Sequence, residues 1–140
     1  MAGMAESEIE TLLTKAEIGV LSTADARSRP EGSPVWFEYA GGSLLVLVHR
    51  DSKKARNIRE NPHVSLTVDT RRAPYKGVVL RGTATLSGPE PVLRRRLAHK
   101  YLGAETGERY LASTAKFDEE DVLVTIHVTG RFSWDYSRGF

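Results

Sequence analysis

Residues 33–49 read Ser33-Pro34-Val35-Trp36-Phe37-Glu38-Tyr39-Ala40-Gly41-Gly42-Ser43-Leu44-Leu45-Val46-Leu47-Val48-His49. Over 33–40, Val35, Phe37 and Tyr39 alternate with Trp36 and Glu38, the two-residue period of a strand. Gly41-Gly42 then signals a tight hairpin, since glycine reaches the left-handed backbone region without a Cβ clash. The return run, 43–49, is apolar on both faces. A strand buried on two sides belongs inside a barrel or beneath a partner subunit.

The flanking sequence extends this β pattern. A β-prone run covers 18–24, and 25–30 reads as a turn. Clean alternation returns over 63–70, 77–87 and 121–129. Gly130 is expected to end that last run before a short terminal strand over 131–136. Gly82 and Ala84 are small, so a close approach to their face is expected. Helical spacing marks 8–15, where Ser7 and Glu10 match a capping box. It also marks 51–60, 89–102 with Pro91 in the first turn, and 106–112. Residues 116–121 read as a charged connector. The expected fold is mainly β: a β-barrel or curled antiparallel sheet with short helices, in one domain over 1–140.

Composition narrows the function. The 140 residues include no cysteine, so no disulfide staples the fold and a reducing compartment is expected. Lys plus Arg total 20 against 18 Asp plus Glu, which is too balanced for a nucleic-acid footprint. Arg94-Arg95-Arg96 is read as a solvated helix face, and nucleic acid is not an expected partner. No apolar run approaches a membrane span, and 1–10 lacks the apolar core of a secretory signal. A cytoplasmic location is the expectation.

Familiar catalytic patterns are missing. There is no phosphate-binding glycine loop, nucleotide fingerprint or nucleophile elbow. His49, His63, His99 and His127 are scattered, which argues against a metal site. The cluster Asp118-Glu119-Glu120-Asp121 reads as a solvated loop.

Residues 49–58, His49-Arg50-Asp51-Ser52-Lys53-Lys54-Ala55-Arg56-Asn57-Ile58, carry the chemistry. A strand ends and a helix begins here, with Asp51 or Ser52 as its cap. Lys53 and Lys54 fall in the first turn, the unfavourable end of the macrodipole for cations. A bound anion reverses that sign, because free amides and two ammonium groups converge on it. Phosphate is the natural occupant; two merely exposed lysines are the alternative. Trp36 shares a face with Glu38 and is a candidate wall for a flat ring or a dimer contact. Lys76, Arg81 and the aromatics of Ser133-Trp134-Asp135-Tyr136 are further candidates for a pocket.

Gly19-Val20-Leu21-Ser22-Thr23, Pro34-Val35-Trp36-Phe37, Ser52-Lys53-Lys54-Ala55-Arg56-Asn57, Asn61-Pro62 and Arg81-Gly82-Thr83-Ala84 occur in that order. The set resembles the pyridoxamine 5'-phosphate oxidase-like, FMN-binding split-barrel superfamily. Its branch that uses the deazaflavin coenzyme F(420) is the most similar. The resemblance implies a dimeric split β-barrel with cofactor sites at the subunit interface. It implies Lys54 first and Lys53 second at the phosphate, with Ser52 in the same turn. Ser33, Pro34, Val35 and Trp36 would run along the ring, bordered by Val48, His49 and Arg50. Arg56 and Asn57 would support the phosphate end or the helix packing. Tyr75, Lys76 and Trp134 would come from the other subunit. The basic pair that FMN-using oxidases carry before the Ser-Lys-Lys turn is absent, as is their C-terminal substrate motif. Oxidation of pyridoxamine phosphate is therefore not implied.

Two functions follow as expectations. One is an oxidoreductase that passes a hydride between coenzyme F(420), or FMN as the alternative, and a small unsaturated or quinone-like molecule. The other is a non-catalytic flavin, deazaflavin or haem carrier, favoured by the lack of an acid–base constellation. His49, Tyr75 and Tyr136 are the only candidates offered as acid or base.

Overall fold

Alternating apolar residues become seven strands in a computed structural model, which describes residues 3–139. They are β1 (Gly19–Ala24), β2 (Pro30–Val35), β3 (Glu38–Tyr39), β4 (Ser43–His49), β5 (His63–Asp69), β6 (Lys76–Ser87) and β7 (Asp121–Asp135). All pair antiparallel in one sheet of order β2-β1-β5-β6-β7-β4-β3. The helices are α1 (Glu6–Thr14), α2 (Lys53–Glu60), α3 (Pro91–Leu102), α4 (Ala104–Ser113) and the single turn α5 (Phe117–Glu120).

The two edges of this sheet, β2 and β3, are consecutive in the chain and separated only by Trp36 and Phe37. A two-residue link spans only a few ångströms. The edges must therefore lie close, and the sheet curls into a split barrel. This breaks the single strand expected over 33–40. The cause is hydrogen bonding outside the sheet. The Phe37 N–H donates to the Tyr101 hydroxyl at 3.2 Å, and its carbonyl accepts from Lys100 Nζ at 2.9 Å.

Inward side chains fill the barrel. Phe37, Leu21, Leu44, Val46, Leu66, Val68, Val78, Val124 and Ile126 are all fully buried. Ile9, Leu12 and Leu13 of α1 belong to the same cluster. That helix starts earlier than its Ser7 cap predicts. Met4 is buried and its N–H is held by Ser133 Oγ at 2.8 Å, so the chain is anchored just ahead of Ala5. Glu8, not Glu10, reaches back to the Ala5 N–H at 3.0 Å. Met4 and Ile9 occupy the positions of a hydrophobic staple. The reading of 1–10 as no secretory signal falls partly on Met1 and Ala2, outside the described residues.

Gly130 does not end a strand. β7 runs through it, with a bulge where Arg81 pairs with Gly130 and Gly82 with Val128. A Cβ on Gly82 would lie 2.0 Å from the His127 carbonyl oxygen. The close approach expected at Gly82 is thus the neighbouring strand itself. Among the described residues no helix is long and apolar enough to cross a membrane.

Candidate functional site

The hairpin β3–β4 and helix α2 meet where the chain leaves β4 at His49. Ser52 caps α2, its Oγ accepting from the Ala55 N–H at 3.2 Å. The first-turn amides of such a helix lack intrahelical acceptors. Arg56 turns back to donate to the Asp51 carbonyl at 2.7 Å, which fixes the turn. Beside it opens a cleft of about 470 Å³.

Seven of the anticipated residues line this cleft: Pro34, Val35, Trp36, Val48, His49, Ser52 and Lys54. Lys54 makes no ion pair among the described residues. The indole of Trp36 stacks on Tyr101, with ring centroids 5.2 Å apart, and tilts against Tyr110 at 5.3 Å. Tyr101 is itself fixed, donating to the Glu17 carbonyl at 2.8 Å. Burial raises its phenol above the usual range. Burial likewise lowers the Lys100 ammonium, which lies over the Phe37 and Tyr101 rings.

The other anticipated residues do not line the cleft. Lys53 pairs with Glu31 at 2.9 Å. Asn57 is buried and donates to Thr23 Oγ1 at 3.0 Å, so it packs α2 onto β1. Ser33 pairs in register with the buried Leu21 and carries a buried hydroxyl without a hydrogen-bond partner among the described residues. Arg50 is exposed, with its carbonyl accepting from Arg59 at 3.0 Å. Tyr75 and Lys76 lie at the far end of β7 from the cleft; Lys76 pairs with Asp135 and lines a separate hollow with Arg71 and Arg72. Trp134 packs there beside Phe132 and over Gly77.

Several cleft residues escape sequence reasoning: Ile18, Leu47, Arg94, Leu97, Tyr110 and Asp121. Arg94 is not part of a solvated face. Only 5% exposed, it binds Asp118 at 3.0 Å and the Thr114 carbonyl at 2.7 Å. Its guanidinium lies against the rings of Tyr110 and Phe117. It therefore ties α3, α4 and α5 together as one wall. Arg95 and Arg96 do stay at the surface, paired with Glu108 and Glu38.

Hydrogen bonds define the state of His49. The Asp51 N–H donates to Nδ1 at 3.1 Å, so Nδ1 is an acceptor. Nε2 faces Glu120 Oε2 at 2.9 Å, and its N–H donates to that carboxylate. This bond holds the Glu120 carboxyl below its ordinary range. Asp121, next in sequence and opposite His49 in register, behaves in the reverse way, because burial raises its carboxyl.

A single curled sheet whose edges are joined by one short link is a split barrel. The model of the pyridoxamine 5'-phosphate oxidase family matches residues 5–134, and the chain belongs to that family. No curated protein matches it. Among solved structures, a conserved hypothetical protein from Mycobacterium tuberculosis has a TM-score of 0.77 at 25% identity, covering 95% of this chain and 86% of its own. A protein named F(420) reductase has a TM-score of 0.76 at 25% identity, covering 92% of this chain and 98% of its own. HutZ, a haem storage protein from Vibrio cholerae, has a TM-score of 0.65 at 22% identity, covering 91% of this chain and 92% of its own. That last likeness concerns the fold alone.

Proposed function

We propose that the protein is a cytoplasmic oxidoreductase that binds a phosphorylated flavin-type cofactor, coenzyme F(420) before FMN. One observation carries this reading: Lys54, without a counter-ion among the described residues, opens with the start of α2 onto a cleft walled by Trp36. The donor set fits such a cofactor. An ammonium group and helix amides suit an anionic tail, and an indole held flat by Tyr101 suits a ring. When bound, the cofactor supplies hydride transfer to or from a small unsaturated or quinone-like molecule. Val35 and Leu47 shed water from the ring region, while Pro34 and Val48 border it. The likeness to the F(420) reductase supports the deazaflavin as first choice.

The protein works as a homodimer, one domain over 1–140 in each protomer, with the cleft completed at the interface. Half-buried Leu45, Leu47 and Leu123 on the outer face of β4 and β7 support this, as does Phe132, which is 50% exposed. Lys53 is the second cation at the phosphate, Asn57 supports that end, Ser33 and Arg50 belong to the ring end, and Tyr75, Lys76 and Trp134 reach the partner's cleft.

Titration of both cofactors into the wild type and Lys54→Ala tests the reading. The variant binds at least tenfold more weakly, a loss of about 1.4 kcal/mol. Equal affinities would remove Lys54 from the site. Saturable cofactor binding without turnover across a panel of acceptors would favour a carrier. A non-catalytic flavin, deazaflavin or haem carrier is the alternative reading.

A further inference from the structure

Asp121 lines the cleft at the junction of α5 and β7. Its surroundings are rich in charge, yet the nearby cationic and imidazole groups are committed elsewhere. Arg94 on α3 binds Asp118 of α5, and His49 on β4 binds Glu120 of α5. The Asp121 carboxyl takes no side-chain hydrogen bond or ion pair among the described residues. A half-buried carboxyl left without a partner costs folding free energy, and it needs a compensating use or a proton. Such groups cluster where a proton is transferred.

We propose that Asp121 is the proton donor of the cleft, serving acceptors whose reduction leaves negative charge on oxygen. This rests on the oxidoreductase reading above. With a reduced flavin or deazaflavin as the hydride source, the acceptor's conjugated C=C or quinone π bond breaks as one bond to hydrogen forms. The two electrons come with the hydride and leave charge on the acceptor oxygen. The Asp121 O–H bond then breaks and its proton passes to that oxygen. Water, which reaches the partly exposed carboxylate, restores the proton.

The charges facing Asp121 set its protonation. Burial is the largest influence and favours the neutral acid, and Glu120 and Asp118 add to it. Arg94 and His49 oppose it. The donor form is therefore lost as pH rises through the raised value, and turnover should fall with it.

The test uses wild type, Lys54→Ala and Asp121→Asn. Carbon-13 NMR of aspartate-labelled, cofactor-free protein should show one carboxyl, absent in Asp121→Asn, titrating above the ordinary 3.8. Adding oxidised cofactor should move that titration. Single-turnover oxidation of the reduced cofactor by menadione should slow at least tenfold in Asp121→Asn and lose its high-pH decline, with cofactor affinity within twofold of wild type. A titration at or below 3.8, or an unchanged pH profile in Asp121→Asn, would overturn the assignment while cofactor binding stands. Failure of the wild type to bind either cofactor would overturn the oxidoreductase reading and this proposal with it.

Discussion

The indole of Trp36 lies on the phenol ring of Tyr101 with only 4° between their planes. The same Tyr101 hydroxyl accepts from the Phe37 N–H and donates to the Glu17 carbonyl. One side chain therefore supports the cleft wall and holds the link that joins the two sheet edges. Tyr101→Phe keeps the ring and removes both hydrogen bonds. It should destabilise the protein by about 1–3 kcal/mol, the cost of leaving buried polar groups unpaired. Urea denaturation checks this, and an unchanged midpoint would mean that water replaces the hydroxyl.

Lys53 and Lys54 are adjacent but not equivalent. The ammonium of Lys53 is shared with Glu31, in an exposed pair worth about 0–1 kcal/mol. Lys53→Ala should therefore leave stability nearly unchanged and weaken cofactor binding by only about threefold, against at least tenfold for Lys54→Ala. Parallel fluorescence titrations compare them. Equal losses would show that Glu31 releases Lys53 on binding.

Gly82 and Gly130 flank the same bulge with different tolerance. A methyl group at Gly82 collides with the His127 backbone, whereas at Gly130 it meets the movable end of Arg81. Gly82→Ala should cost about 1–3 kcal/mol or more, with Gly130→Ala clearly milder. Thermal denaturation of the two variants ranks them, and the reverse order would contradict the observed register.

Acid should unfold the protein. The Arg29 N–H, foremost, holds the Asp25 carboxyl below 3.8, and His49 holds Glu120 below 4.5. Asp135, Glu8 and Glu108 are lowered as well. A depressed folded pKa stabilises above the unfolded value, and that stability is lost as pH falls through the folded one. Asp121 runs the opposite way, its contribution fading as pH rises. The majority wins, so stability should decline below about pH 4.5. Asp25→Asn should flatten that decline in denaturation series across pH. An identical slope would show that Asp25 keeps the same proton affinity unfolded.

Much of this was legible in the residues. Local patterns placed strand over 18–24, 33–40, 43–49, 63–70, 77–87 and 121–129, because side-chain periodicity is local, but missed the start of β2 at Pro30, the division of 33–40 and the continuity of β7. Residues 49–58 announced a basic turn ahead of a helix. What stayed hidden depends on distant partners. The break at Trp36-Phe37 is made by Lys100 and Tyr101, far along the chain. Continuity of β7 through Gly130 depends on Arg81 and Gly82 in β6. Asp121 sits in a run of four acids that looks solvated, yet in the fold it is half-buried at the cleft. Arg94 looks like its two basic neighbours until Thr114 and Asp118 are brought to it.

The order in which the strands emerge during synthesis also matters. Among the described residues β4 pairs only with β7 and the two-residue β3, and β7 is the last of the seven strands along the chain. Until Asp121–Asp135 leaves the ribosome, the hairpin of β3 and β4 has no sheet to join, although β1, β2, β5 and β6 can already assemble. Closure is thus a late, long-range event, and a nascent chain stalled before it exposes the apolar edge of β4 to chaperones.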